Sequence, residues 1–230
     1  MSTVEKLDRL IADQLQATLP YAVIGTQIIV LEQTGSTNDA ILQIASAQGA
    51  AVSSLPAVVS AKGGRGSPAD EGLVLFADHQ TAGRGQRGNR WESTACKGLW
   101  FSILLRPKIQ LSESRRLTIW AIEAVSDVIG IEFGLEPAVK LPNDIQLNGR
   151  KVAGVLVEMR AQNKAPHLAV VGIGINVNQS RDDFPTELQD RATSLAMTLG
   201  RQIDRQKFAV ALLRNLDLTY REEFCCSRGH

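Results

Sequence analysis

The sequence predicts an α+β fold in which a mixed β-sheet is backed by helices. Short apolar runs rich in Val, Ile and Leu recur along the chain, broken by Gly, Pro and Asn turn signals, which is the pattern of strands. Two other segments, Ser114 to Ile129 and Phe208 to Leu216, repeat their apolar residues every third or fourth position, the spacing of helices with one buried face. At 230 residues, 44% hydrophobic and 21% charged, the chain can bury one sizeable core, since single cores stop growing at roughly 250 to 300 residues. A single domain over residues 1–230 is the expectation.

The elements follow in chain order. Leu7, Leu10, Ile11 and Leu15 stand at helical spacing, so residues 1–20 predict an N-terminal helix that ends at Pro20. QIIVLEQ is a strand. GSTNDAILQIASAQ then offers capping residues, an acidic first turn and apolar Ile41, Leu42 and Ala45, the start of a helix. Gly49 to Gly72 is rich in Ala, Gly, Ser and Pro and predicts a long surface loop. LVLFADHQ and GLWFSILLRP are strands, and the helix from about Ser114 places Leu117, Ala121, Ala124, Val125 and Val128 on one face. AVKLPNDIQLN, KVAGVLVEMR and HLAVVGIGINVNQ are β-rich runs separated by Pro-Asn-Asp, Asn-Gly and Asn-Lys-Ala-Pro turns, as in adjacent antiparallel strands. Phe208, Leu212, Leu213 and Leu216 mark the last helix.

A net charge of +1 gives no overall basic field, so anion binding must come from local clustering. The cysteines, Cys96, Cys225 and Cys226, form neither a disulfide framework nor a zinc-site spacing, which fits a reducing compartment. The charged N-terminus is not a secretory segment, and no stretch approaches the ~18 apolar residues of a membrane span. A cytoplasmic protein without a membrane partner is expected.

The local cluster is GRGQRGNRW, from Gly83 to Trp91, set straight after a strand. Gly83, Gly85 and Gly88 spell G-x-G-x-x-G, but a dinucleotide fingerprint must open a helix, and here another strand follows. Arginine-glycine segments that bind single-stranded nucleic acid lie in disordered basic chains, whereas this one is wedged between apolar strands. Glycines let backbone amides approach a ligand, arginines supply paired donors to phosphate or carboxylate, and the Trp can cover a ring. The segment reads as a cover over a nucleotide-linked anion.

With these residues in view the chain resembles the biotin protein ligases. The resemblance runs from Gln33 to Val177 and rests on four motifs in the family's order: GSTN at 35–38, QTAGRGQRGNRW at 80–91, PNDIQLNGRKVAGVLVE at 142–158 and GIGIN at 172–176. It implies a catalytic domain of the class II aminoacyl-tRNA synthetase/biotin ligase-like fold. It also implies an enzyme that joins biotin to ATP as biotinyl-5'-AMP, with Mg2+ accompanying the triphosphate. The biotinyl group would pass to a lysine of the biotin carboxyl carrier protein of acetyl-CoA carboxylase, and a homodimer is within the family's range.

The resemblance implies roles that suit each residue's chemistry. Ser36, Thr37, Asn38 and Gln80 match the positions that bind the ureido ring, whose polar edge needs short donors and acceptors when buried. Without the family, Ser36 or Thr37 would be a helix cap. Gly83, Gly172 and Gly174 match the lining of biotin's aliphatic chain, although on their own the last two glycines read as sheet bulges. Arg84 matches a biotin-binding and catalytic position. Lys151, otherwise an ordinary surface charge, matches the catalytic lysine that approaches both the biotin carboxylate and the adenylate phosphate. Arg87, Trp91, Lys140, Asn143, Asp144 and Asn176 fall to the adenylate and ATP side, with Asp144 as the carboxylate nearest the metal.

The chain departs from the family pattern in places. Gln86 and Asn89 stand where arginines are usual, and Leu141 stands where Trp is common. Too few residues precede GSTN for a DNA-binding winged helix, so no DNA partner is expected, and the family's small C-terminal β-barrel is expected to be absent. The alternatives are a lipoate or octanoyl transferase of the same fold and a degenerate biotin-binding protein without transfer activity.

Overall fold

In a computed structural model, residues 9–19, 23–46, 58–60, 71–162 and 166–225 are described. An eight-stranded sheet crosses the molecule. Its strands are β1 (Gln27–Thr34), β2 (Val58–Ser60), β3 (Leu73–Gln80), β4 (Gly98–Leu105), β5 (Ala138–Lys140), β6 (Asp144–Leu147), β7 (Arg150–Arg160) and β8 (Leu168–Asn176), in the spatial order β2-β1-β3-β4-β8-β7-β6-β5. β1 and β3 run parallel, with Thr34 beside Gln80, and every other pair is antiparallel. The helices are α1 (Ala12–Ala17), α2 (Thr37–Ser46), α3 (Ser114–Phe133), α4 (Leu195–Leu199) and α5 (Arg205–Tyr220). None of the described helices is long and apolar enough to cross a membrane.

Period-two alternation divides the strands between two faces. Leu99, Phe101, Ile103 and Leu105 of β4 and Val171, Ile173 and Ile175 of β8 pack with α1, α3 and α5 in the larger core. Ile29, Leu31, Leu73, Leu75, Ala77, Leu104 and Val170 turn the other way and pack under α2 through Ala40, Ile41, Leu42 and Ile44. Between α2 and β6, that second face carries Trp100 and Ser102 of β4, Gly172 and Gly174 of β8, and Gly154, Leu156 and Glu158 of β7. Gly172 is paired with Ser102 and Leu156, and Gly174 with Trp100 and Gly154. Small residues there leave a trough. The strands of an antiparallel meander cover their inner face with helices and can leave the outer one open.

The structure corrects several element expectations. The N-terminal helix covers only Ala12–Ala17 among the described residues, and Pro20 lies outside them. The expected loop from Gly49 to Gly72 lies largely outside the described residues, but Val58–Ser60 within it is a strand pairing antiparallel with β1, so the segment is not loop throughout. α3 continues past Ile129 to Phe133, where Gly134 ends it with a left-handed backbone. α4 had no sequence signal beyond Ser194, whose side chain accepts from the Met197 amide.

Candidate functional site

The parallel pairing of β1 and β3 places the two segments that follow them side by side. Thr81 and Ala82 donate backbone hydrogen bonds to Thr34 and Gly35, so GSTN and the arginine-glycine loop leave the sheet together. Gln80 Oε1 accepts from the Thr37 amide at 2.8 Å and lies 3.2 Å from its hydroxyl. The Gln80 backbone is in turn fastened to Ser93 Oγ through its amide at 3.0 Å and its carbonyl at 2.9 Å. Beneath α2, the Ser102 hydroxyl stands 2.6 Å from Asn38 Oδ1 and 2.8 Å from Thr37 Oγ1, and with one proton it donates to one of them at a time. Asn38 Nδ2 donates to Glu158 Oε2 at 2.8 Å. Both ends of the Asn38 amide are therefore held by protein, and a Cβ on Gly172 would run into that amide. Ser36, Thr37, Asn38 and Gln80 all border the open space, and Asn38 also fastens the start of α2 to β4 and β7.

Arg84 Nη2 is paired with Glu158 at 2.5 Å and with Asp39 at 3.0 Å. The loop then folds back on itself, with Trp91 donating to the Gly83 carbonyl at 2.9 Å and Gly85 to that of Asn89 at 2.7 Å. Gly83 is required for this closure, since a Cβ there would come within 2.5 Å of the Trp91 carbonyl. The Trp91 indole lies on the glycine trough: a Cβ on Gly174 would meet its ring at 2.6 Å and one on Gly154 at 3.0 Å. It meets Trp100 edge-on at 5.9 Å between centroids, and among the described residues its buried Nε1 has no hydrogen-bond partner. Lys151 Nζ sits 5.1 Å from the Trp91 ring centroid and 2.7 Å from Asp144 Oδ1. That contact is one of charge, because among the described residues the same carboxylate oxygen has no well-angled hydrogen bond.

Two adjoining hollows result. The first is bordered by Ser36, Thr37, Gln80, Arg84, Gly172 and Gly174, and the second by Lys140, Asp144, Gln146, Asn176, Phe184 and Arg191. Trp91 and Lys151 line both. The segment after β8 closes the second hollow by pairing with the backbone of Lys151, whose amide donates to Arg191 and whose carbonyl accepts from Thr193.

Most of the predicted site residues converge here, with three differences. Arg87 lies in the exposed 3-10 turn Gln86–Gly88, in a left-handed conformation, and borders neither hollow. Asn143 borders the first hollow and not the second, and it fastens the turn by exchanging hydrogen bonds with Val155. Asn176 borders the second hollow, but its amide is spent on Thr193 and Gln179. Asp144 is engaged by Lys151, and among the described residues no group of three or more His, Cys, Asp or Glu stands together to hold a metal. Asp144 alone does not make a cation site.

Ser93, Ser102, Gly154 and Glu158 were missed as site residues. Ser102 had a signal, being the lone hydroxyl in GLWFSILL, since a buried polar group in an apolar strand needs a partner. Glu158 in VLVEMR had the same one. Arg205, at the start of α5, was missed as well. It is buried beneath the loop and donates to Asp78 at 3.3 Å and to the carbonyls of Cys96 and Gly98. Burial pushes the Asp78 carboxyl up, and the facing guanidinium offsets part of that rise.

With the geometry in place, the similarities to known proteins are specific. The model of the biotin/lipoate A/B protein ligase family matches residues 49–176. Over 154 residues the chain is 44% identical to the bifunctional ligase/repressor BirA of Bacillus spizizenii, covering 67% of this chain and 47% of that protein. Over 195 residues it is 34% identical to the biotin--[acetyl-CoA-carboxylase] ligase of Mycobacterium tuberculosis, covering 83% of this chain and 63% of that one. The chain thus spans about half the length of the Bacillus relative. A solved biotin protein ligase from Aquifex aeolicus in complex with biotin and ATP superposes with a TM-score of 0.64 at 29% identity, covering 86% of this chain and 72% of that one.

Proposed function

This chain belongs to the biotin/lipoate A/B protein ligase family, and from that premise we propose that it activates biotin with ATP as biotinyl-5'-AMP and transfers the biotinyl group to a lysine of a biotin carboxyl carrier protein. The observation that carries this reading is the shared wall: Lys151 and Trp91 border both hollows, so a carboxylate at the end of one and a phosphate at the edge of the other meet at one ammonium. Two ligands that must react need adjoining pockets with a cation between them.

In this reading the ureido ring lies against Ser36, Thr37 and Gln80, and the aliphatic chain extends through the first hollow toward Trp91, whose indole covers Gly174. The biotin carboxylate then reaches Arg84 and Lys151. Its oxygen attacks the α-phosphorus, forming the C–O–P linkage of a mixed anhydride as pyrophosphate departs. Lys151 brings two anions together and offsets the charge that gathers on the phosphoryl oxygens. Asp144 holds the Lys151 ammonium in place until the substrates arrive. In the second step the carrier lysine, as the free amine, attacks the acyl carbon and AMP leaves. Closure of the Gly83–Trp91 segment keeps water from the anhydride. Mg2+ supplies charge neutralisation to the triphosphate as it does for ATP generally.

The test is pyrophosphate release on mixing the chain with biotin and ATP, followed by transfer of labelled biotin to a carrier domain. Release and transfer are expected. Biotin binding without release would identify a binding protein, and release with lipoate or octanoate in place of biotin would identify the sister transferase chemistry.

A further inference from the structure

Glu158 sits where three elements meet. It lies on the trough side of β7, two residues beyond Leu156, where β7 is paired with β8 and Glu158 stands beside Val170. Its Oε2 accepts from Asn38 of α2 and from Arg84 of the loop after β3, at 2.8 and 2.5 Å. Asn38 has no freedom to turn away, because Ser102 holds its other end and Gly172 lies directly beneath it. Arg84 is held by one nitrogen only: Glu158 and Asp39 both take Nη2, and among the described residues no protein acceptor is found for Nη1 or Nε. A guanidinium gripped at one corner presents its remaining donors as a fixed fork, the geometry that suits a carboxylate or phosphate.

We infer that Glu158 is a positioning residue that aims Arg84 at the anionic end of the substrate and locks it to the ring-recognition turn through Asn38. This rests on the proposed function for the identity of the anion. The tether itself is a property of the ligand-free chain. Each member is about a third exposed or more, so solvent screens the pair and its effect should be moderate. What distinguishes it from a surface ion pair is that one carboxylate fixes both ends of the site.

The test uses the whole chain carrying Glu158→Ala, Glu158→Gln, Arg84→Met and the Glu158→Ala/Arg84→Met pair, each checked for native folding by circular dichroism. Tryptic cutting between Gly83 and Trp91, without ligand, reads the tether directly. Glu158→Ala should speed cutting roughly three- to thirtyfold, the range of a screened charge-assisted hydrogen bond. Glu158→Gln keeps an oxygen for Asn38 but gives up the charge, and should fall between. With biotin and ATP, Glu158→Ala should raise the KM for biotin by a similar factor, and in the double variant the two effects should not multiply, because either change alone breaks the same link. Native cutting rates in Glu158→Ala, or factors that multiply in the double variant, would overturn the assignment. If the native chain releases no pyrophosphate, the proposed function falls, while the tryptic comparison still decides the role of Glu158.

Discussion

Lys151 is the residue on which the proposed chemistry rests. Its ammonium is paired with Asp144 and faces the Trp91 ring, so it is held at the junction before either substrate binds. A charge used mainly in the transition state affects rate more than affinity, and Lys151→Ala should slow adenylate formation by about a hundredfold or more while leaving biotin binding nearly intact. Single-turnover pyrophosphate release checks this, and an unchanged rate would remove Lys151 from the mechanism. Gly174 makes the opposite kind of contribution, through what it lacks. An added Cβ would stand 2.6 to 2.9 Å from the Trp91 indole, closer than real contacts allow, so the indole must move. Gly174→Ala should therefore fold normally but bind biotin more weakly and shift the tryptophan emission. Native emission and native affinity together would show that the trough has room to spare.

At the scale of elements, α5 closes the larger core and ties the sheet to the loop. Arg205 at its first turn fastens the start of β4, and Tyr220 at its last turn donates to Glu71, which also accepts the Arg106 amide at 2.9 Å. Burial, then the bond to Glu71, push the Tyr220 phenol far above its ordinary value of 10.0. The sign follows from linkage. A raised folded pKa contributes stability that is complete below the unfolded value and declines as pH climbs above it, because only the unfolded chain then releases the proton. Unfolding by denaturant should show stability falling above about pH 10, and Tyr220→Phe should flatten that fall while lowering stability at neutral pH by about 1 kcal/mol. The same alkaline slope in both proteins would mean that other groups set it. In a Tyr21→Phe background, the absorbance of Tyr220 should stay that of the phenol until the fold is lost.

For the whole molecule, the two hollows lie on the part of the sheet that α2 leaves open among the described residues, so ligands bound there would add to that layer. Substances that bind only the folded state stabilise it by mass action, about 2.7 kcal/mol at a hundred times Kd. With roughly 2 to 4 °C per kcal/mol at this chain length, biotin and ATP together should raise the melting midpoint by about 5 to 10 °C. Each ligand alone should do less, because in the proposed reading only the adenylate would span both hollows. If the pair shifts the midpoint no further than the larger single effect, the two hollows do not act as one site.

Much of this was legible along the chain. LVLFADHQ is β3 from end to end, and QIIVLEQ, GLWFSILLRP, KVAGVLVEMR and HLAVVGIGINVNQ are strands within three residues of their expected limits. Strand and helix periods are local, and turns such as Asn-Gly announce themselves in a few residues. GSTN, the arginine-glycine loop, Lys151 and the two β8 glycines were identified because their chemistry and order match a known family. The tertiary structure alone decided which of them touch. Asn38 meets Glu158 across 120 positions and Thr37 meets Ser102 across 65, and neither pairing leaves a mark in either neighbourhood. The same holds for Asn38, Asn143 and Asn176, whose side chains suggest ligand binding but are taken up largely by protein. Periodicity tells which face of a strand a residue occupies. What it meets there depends on the order in which strands and helices are laid side by side, and that order is set by packing the whole chain at once.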